Sequence, residues 1–438
     1  MKKENTDKLL QPIWIVALIA IIIPLLASMG ESESLKVKKD VKKPKFSLPN
    51  WLDGKFQLEY EDYFAESWKL KDDAVKMNNS LVYAAFNQIR VKEFTAGKND
   101  YIFSIPYVNA AFGNDFIGED SIAKTLTKLK LIQDTLKSKG IDFLFTFVPG
   151  KGSFFPELLP ERFDHKKENT NYKSYIKLCK KMGINYIDLQ ALFLAKKEKS
   201  PYPLFPQFGH HWSYYGECIA ADTVVKFIEK MRGIDMPDIQ WEKIEVSDTA
   251  KHRDADILKS MNLINRPQQI EKLAYPVLAI ENNPSKPKAK VLTIADSYYW
   301  GFISLGIQDY VFEGGSFWYY YKKAYPETRQ QLTETWQLDL KSKIESQNVI
   351  MIAAADGNLI NPGWGFIEEV YELYANPQQF YKNRAKKQGL NWYEKKIHSD
   401  AVLLRQANKE ADNLKLPLDT VIKRNAIKLL KENNGVLR

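Results

Sequence analysis

Three times along this chain a helical pattern ends and a short, nearly continuous apolar run follows. Asp120 to Lys139 is amphipathic and is closed by Gly140; Ile141-Asp-Phe-Leu-Phe-Thr-Phe-Val148 comes next. Tyr172 to Met182 and Gly183 precede Ile184-Asn-Tyr-Ile-Asp-Leu189, and Leu332 to Ile344 precedes Val349-Ile-Met-Ile-Ala-Ala354. A further run, Val291-Leu-Thr-Ile-Ala295, follows a long connection. Strands buried on both faces lose the apolar–polar alternation, and parallel strands need crossover helices. The pattern therefore predicts an α/β fold, a parallel sheet wrapped by helices. Upstream, Tyr60 to Ile89 has the spacing of two amphipathic helices, Gly97-Lys-Asn-Asp100 reads as a turn and Tyr101-Ile-Phe103 as a short strand. With 45% hydrophobic and 27% charged residues the composition is globular, and two cysteines can build neither a disulfide framework nor a four-cysteine zinc site. Cys179 and Cys218 lie in predicted helices, open to pairing or to burial as thiols.

The N-terminus constrains the compartment. Leu9 to Gly30 contains no charged residue and is long enough to cross a bilayer as a helix, with Lys2, Lys3 and Lys8 before it. The positive-inside rule puts those lysines in the cytoplasm and everything after about residue 31 beyond the membrane. The expectation is an uncleaved single-pass anchor in the inner membrane, with the rest of the chain in the periplasm. The rival is a cleaved signal peptide, whose best site, Ser28-Met29-Gly30, is poor; no lipoprotein cysteine follows. The organisation expected is thus tip and anchor over 1–30, a basic tether over 31–58, the α/β domain over 59–375 and a basic helical tail over 376–438. Much of the net charge of +9 lies in the tether and tail, so it suggests no nucleic-acid partner. The tail reads as a solvated helical face, or as a surface for acidic polysaccharide, anionic lipid or a membrane partner.

Ligands of open α/β sheets gather at the carboxyl ends of the strands. Three segments there carry chemistry. Val148-Pro-Gly-Lys151 follows the first strand, Phe208-Gly-His-His-Trp-Ser213 opens a helix running to about Met231, and Ala295-Asp-Ser297 follows the Val291 strand. A serine on a sharp strand-to-helix turn projects above the sheet, where following backbone N–H groups can hold an oxyanion. It needs a base, and His211 is the candidate. Taken singly, Ser297 reads more readily as a helix N-cap and His210-His211 as structural histidines. Asp254-Ala-Asp256 has the Asp-x-Asp form of nucleotide-sugar transferases, which are not expected outside the cytoplasm. No phosphate loop, dinucleotide fingerprint or metal-ligand spacing is present, and no cofactor or metal is expected.

In this order the segments resemble the periplasmic alginate O-acetyltransferase family of AlgJ/AlgX type, a branch of the SGNH hydrolases. The likeness rests on Val148-Pro149-Gly150-Lys151 with Phe155-Pro156-Glu157, on His210-His211-Trp212 with Gly216, and on Asp296-Ser297. Asp256-Ile-Leu resembles the family's Gly-Asp-Leu, and Gly97-Lys-Asn-Asp-Tyr-Ile-Phe103 its Gly-Lys-Asp-Gly-Trp-Leu-Phe turn. The resemblance covers roughly residues 60 to 375 and implies an SGNH hydrolase-like sheet. It implies a serine nucleophile, Ser297, and a histidine base, His211, with His210, Asp296 and Lys151 in support. It further implies acetyl transfer to polysaccharide hydroxyls, from a donor supplied by a multispanning membrane O-acyltransferase. Trp212, Tyr298, Tyr299, Trp300, Trp318 and Tyr319 are candidates to stack on sugar rings or to pack in the core. The family's catalytic aspartate falls on Gly209. Another acid could substitute, with Asp164 and Asp356 near strand-end loops as candidates and Asp296 expected to face away or cap a turn, or His210 could position His211, or a Ser–His dyad could operate, or catalysis could be lost. The alternatives to a transferase are a carbohydrate esterase and a glycan-binding subunit without catalysis.

Overall fold

A computed structural model describes residues 43–67, 71–163 and 169–432. The expected anchor, the first part of the tether (31–42) and Asp164 lie outside these residues. Among the described residues no helix is long and apolar enough to cross a membrane. The chain divides into two compact units, Met1–Val91 with Leu258–Pro267, and Lys92–Ile257 with Gln268–Arg438. In the first, helices span Leu48–Leu52, Lys55–Ser67 and Lys71–Phe86. The Asn79 amide donates to the Met261 carbonyl at 3.1 Å, and Ser80 Oγ accepts from the Ile264 N–H at 2.9 Å.

The second unit contains ten strands among its described residues: β1 Phe94–Ala96, β2 Ile102–Ser104, β3 Asp142–Val148, β4 Tyr186–Asp188, β5 Ile239–Ser247, β6 Leu273–Ile280, β7 Val291–Ala295, β8 Ser316–Tyr319, β9 Lys323–Tyr325 and β10 Val349–Ala355. Six of them form the main sheet in the order β4-β3-β10-β7-β8-β9, parallel except for β9. Every residue of β3, β7 and β10 is buried, so the near-continuous apolar runs are parallel strands covered on both faces. The period of two sorts their side chains. Leu144, Val148, Met351 and Ala353 join the core on one face, with the helix Tyr214–Arg232. Phe143, Phe145, Phe147, Ile350 and Ile352 join the other, with helices Glu119–Ser138 and Phe366–Ala375. Burying one such phenylalanine contributes about 1.5–3 kcal/mol, so β3 alone anchors the layers firmly.

Helix ends follow the sequence signals. Asn171–Met182 is capped by Thr170 and stops at Gly183, whose φ of 65° a side chain would resist. Other expectations need correction. The helix expected over Leu332–Ile344 is confined to Leu340–Glu345, because Thr335 and its neighbours are drawn into a short 3₁₀ turn capped by Glu334. The long connection before β7 contains the β5–β6 hairpin, and β8 follows it. Cys179 and Cys218 are both buried free thiols. Beyond residue 376 come three helices, Pro377–Ser399, Ala401–Leu414 and Leu418–Glu432, with a core of Tyr393, Ile397, Ala407, Val421 and Ala426.

Candidate active site

The site forms on the carboxyl edge of the sheet, where four neighbouring strands end. Their following residues are Pro149-Gly150-Lys151 after β3, Asp356 after β10, Asp296-Ser297 after β7 and Tyr320 after β8. Ser297 opens a short helical turn and is half-buried. His211 comes from the loop before the helix Tyr214–Arg232, whose start Ser213 caps. The imidazole spans two partners. Its Nε2 lies 2.8 Å from Ser297 Oγ, and its Nδ1 lies 3.0 Å from Asp256 Oδ2. A carboxylate on Nδ1 selects the tautomer protonated there and leaves Nε2 to accept the serine proton.

The acid on His211 is thus Asp256 and not Asp356, and Asp296 faces away as expected. Asp296 is buried and turned away: it accepts from the Tyr298 N–H on its own turn and from the Ala355 N–H and the Asn358 amide at the end of the neighbouring β10. Asp356 accepts from the Ser153 hydroxyl. Gly209 carries no carboxylate, and its backbone explains why. A Cβ there would lie 2.6 Å from Pro206 Cγ and 2.9 Å from the Asp254 carbonyl oxygen. The 253–256 loop therefore packs directly on residue 209, and that loop delivers Asp256.

This loop does three jobs with three of its four side chains. Arg253 donates to the Ser297 carbonyl at 3.2 Å and to Glu217 at 2.9 Å. Asp254 accepts from the Tyr214 N–H at 3.0 Å, at the start of the histidine-bearing helix. Asp256 meets His211 and also accepts the His210 N–H at 2.9 Å. The Asp-x-Asp pattern is accordingly split between a helix cap and the imidazole.

The supporting residues have definite places. Lys151 is buried, and its ammonium donates to the Gln207 and Gly209 carbonyls, both at 2.9 Å, pinning the segment before His211. Burial pulls its pKa down to about 7, against the pull of Asp256 and Asp254. His210 holds Asp256 through its backbone, while its ring packs edge-on against Tyr107 at 4.8 Å. Burial, with His211 adding to it, pushes the His210 pKa down to about 3, so its ring stays neutral beside His211. Burial works to raise the Asp256 carboxyl. The hydrogen bond and charge of His211, with the His210 N–H, outweigh it and hold Asp256 below its ordinary value.

Trp212, Tyr298 and Tyr299, offered as sugar-stacking residues, are 3%, 1% and 3% exposed and pack in the core. Trp212 lies against Phe193, Tyr298 and Phe302. Tyr298 also braces the site, its ring 4.8 Å from that of His211 and its hydroxyl donating to the His210 carbonyl. Trp318 is wholly buried under Phe366 and Tyr321. Trp300 and Tyr319 are only partly buried, and their rings meet edge-on at 5.6 Å. Among the described residues, no group of three His, Cys, Asp or Glu side chains could hold a metal ion.

Residues 96–292 match the family model of the SGNH hydrolase-like domain, acetyltransferase AlgX. This stretch is similar to the SGNH hydrolase-like domain of AlgX-type acetyltransferases. The AlgX-type match includes Lys151, His211 and Asp256 and ends within β7, before Ser297. Alginate biosynthesis protein AlgX of Pseudomonas syringae pv. tomato is 24% identical over 168 residues, 37% of this chain and 33% of that protein. The Azotobacter vinelandii protein of the same name is 30% identical over 109 residues, 24% of this chain and 22% of its own. The chain thus spans about a third or less of the curated relatives it matches. Among solved structures, the O-acetyltransferase domain of Pseudomonas putida AlgJ is similar at 16% identity and a TM-score of 0.43, covering 64% of this chain and 98% of that one.

Two residues of this AlgX-like site escaped the sequence reading. Arg253 has no motif of its own. Asp256 did have a signal, since it stands in the segment resembling the family's Gly-Asp-Leu, between the histidine and serine motifs.

Proposed function

We propose that this protein transfers acetyl groups to polysaccharide hydroxyls through an acyl-enzyme on Ser297. The observation that carries the reading is the bridge of His211 between Ser297 Oγ and Asp256 within an AlgX-type domain. In the first step His211 Nε2 takes the Ser297 proton as Oγ attacks the acetyl carbonyl of the donor. The bond to the donor's leaving group breaks, and the leaving group departs with that proton. In the second step a sugar hydroxyl gives its proton to Nε2 and attacks the serine ester. The Ser297 C–O bond to acetyl breaks and Oγ recovers the proton. Asp256 stays ionised throughout and stabilises the imidazolium.

A multispanning membrane O-acyltransferase would supply the donor, and the apolar segment Leu9–Gly30 would anchor the chain in the inner membrane beside it, with the site in the periplasm. The relatives named for alginate biosynthesis make an acidic exopolysaccharide the expected acceptor. The test is an acetyl donor ester mixed with the full chain, followed by mass spectrometry of the Ser297 peptide. A peptide carrying one acetyl group, absent in Ser297→Ala, is expected. In cells, Ser297→Ala should abolish polysaccharide acetylation at unchanged protein level; normal acetylation in that strain sinks the proposal. Release of acetate to water with no transfer to any glycan would make the protein an esterase instead.

A further inference from the structure

A groove of about 650 Å³ runs between the loop after β8, the segment after β10 and the helix Pro377–Ser399. That volume falls within the range of ~300–1,000 Å³ typical of small-molecule sites. The groove begins at the candidate active site. Tyr320 lines it, and the Tyr320 N–H donates to the Ala295 carbonyl at 2.9 Å, two residues before Ser297. Trp364 meets the Tyr320 ring edge-on, with centroids 5.0 Å apart, and Trp336 lines the groove beyond.

Its backbone is unusual. Tyr320, Tyr321 and Trp364 have φ of 49°, 53° and 51°. Left-handed backbone is disfavoured for any residue with a Cβ and is uncommon for bulky ones. If these positions served only to turn the chain, glycine would do so without strain. Three strained aromatics on one groove indicate that the side chains are what is being placed.

We infer that this groove binds the acceptor, a short stretch of acidic polysaccharide whose hydroxyl reaches Ser297 past Tyr320. The inference rests on the acyl-transfer reading above and adds the acceptor's binding site. Half-exposed Trp364, and the face of half-exposed Trp336 opposite the Lys395 ammonium that lies 5.2 Å over its ring, offer surface to the apolar faces of pyranose rings. Asn361 and Asn391 offer amides to hydroxyls. Lys322, Lys387 and Lys395 face Glu334 and Glu394, a cationic balance suited to carboxylates. Lys395 is paired with Glu334 and Lys387 with Glu369, whereas Lys322 makes no ion pair among the described residues. Lys322 is therefore the cation most free to meet a uronate.

Binding is measured by calorimetry in the Ser297→Ala full chain, so that it does not depend on catalysis. A hexuronate hexasaccharide is the probe and cellohexaose the neutral control. The hexuronate is expected to bind, and Trp336→Ala and Trp364→Ala each to weaken it about tenfold, or 1.4 kcal/mol. Lys322→Ala should erase its advantage over cellohexaose. No hexuronate binding, or unchanged affinity in both tryptophan variants, overturns the inference; equal affinity for cellohexaose overturns its acidic part. Should a tryptophan variant fail to fold by circular dichroism, exposed Lys322→Ala decides. Glycan binding without any acetyl on Ser297 would leave the groove standing and the transfer reading refuted.

Discussion

His211 and Ser297 could be seen in the sequence because each stands on a local signal, a strand end and a helix start. The carboxylate's role could not be read from the residues themselves, because it comes from 45 residues beyond His211 and no periodicity links 256 to 211. Only folding places the two together. The same limit explains Trp212, Tyr298 and Tyr299. An aromatic beside a catalytic motif looks available, but whether it faces solvent depends on the helix laid over it, here Tyr214–Arg232. Asp256→Asn tests the assignment of the acid. The amide keeps the shape but can hold the wrong imidazole tautomer, which in serine proteases costs on the order of 10⁴ in rate. Ester hydrolysis by Asp256→Asn should fall by about that factor, kcat carrying the loss, with melting close to wild type. A loss of less than about tenfold would mean that His211 is oriented by something else.

At the scale of elements, the strands of the sheet centre were legible from composition alone, since a double-sided burial leaves mostly apolar residues. The β5–β6 hairpin was not: most of β5 is exposed and gives no apolar run. The strand β8 is four residues long and aromatic, so Trp318 and Tyr319 looked like ligands rather than lattice. Two loops decide the site, 207–211 and 253–256, and each supports a prediction. Restoring the family's acid by Gly209→Asp should reduce activity, not raise it. The new Cβ would meet the Asp254 carbonyl and push away the loop that carries Asp256. A rise in kcat for this variant would show that the loop yields. Lys151 gives a pH test. Its folded pKa, near 7, lies below its unfolded value near 10.5, so between these values the unfolded chain binds more protons. The cost of burying the charge is full below pH 7 and is relieved as pH rises toward 10.5. Lys151→Met lacks that titration. Urea unfolding from pH 7 to 10 should therefore show the wild type gaining stability relative to Lys151→Met; parallel curves would refute it.

Over the whole molecule, the sequence suggested a helical tail set apart from the α/β body, and the helices do have a core of their own. What periodicity could not show is the buried cation that joins the first of them to the sheet's periphery. Arg384 is 7% exposed and pairs with Glu369 on the helix Phe366–Ala375. Its other nitrogen donates to the Thr335 and Leu338 carbonyls at 2.8 and 3.1 Å. A lysine or arginine in a basic helix reads as solvated by default, and only the partners reveal otherwise. Removing one side of a buried pair strands the other and leaves the carbonyls without a donor. Arg384→Met should lower unfolding free energy by about 3 kcal/mol. The neighbouring Lys387→Ala, which removes a half-exposed partner of the same Glu369, should cost no more than about 1 kcal/mol. Urea midpoints for the two variants separate the cases. Because Glu369 also accepts from Tyr321, which lines the groove, the arginine variant should loosen that wall as well as the helix. Equal, small effects from both substitutions would mean that the C-terminal helices add little to the stability of the body they pack on.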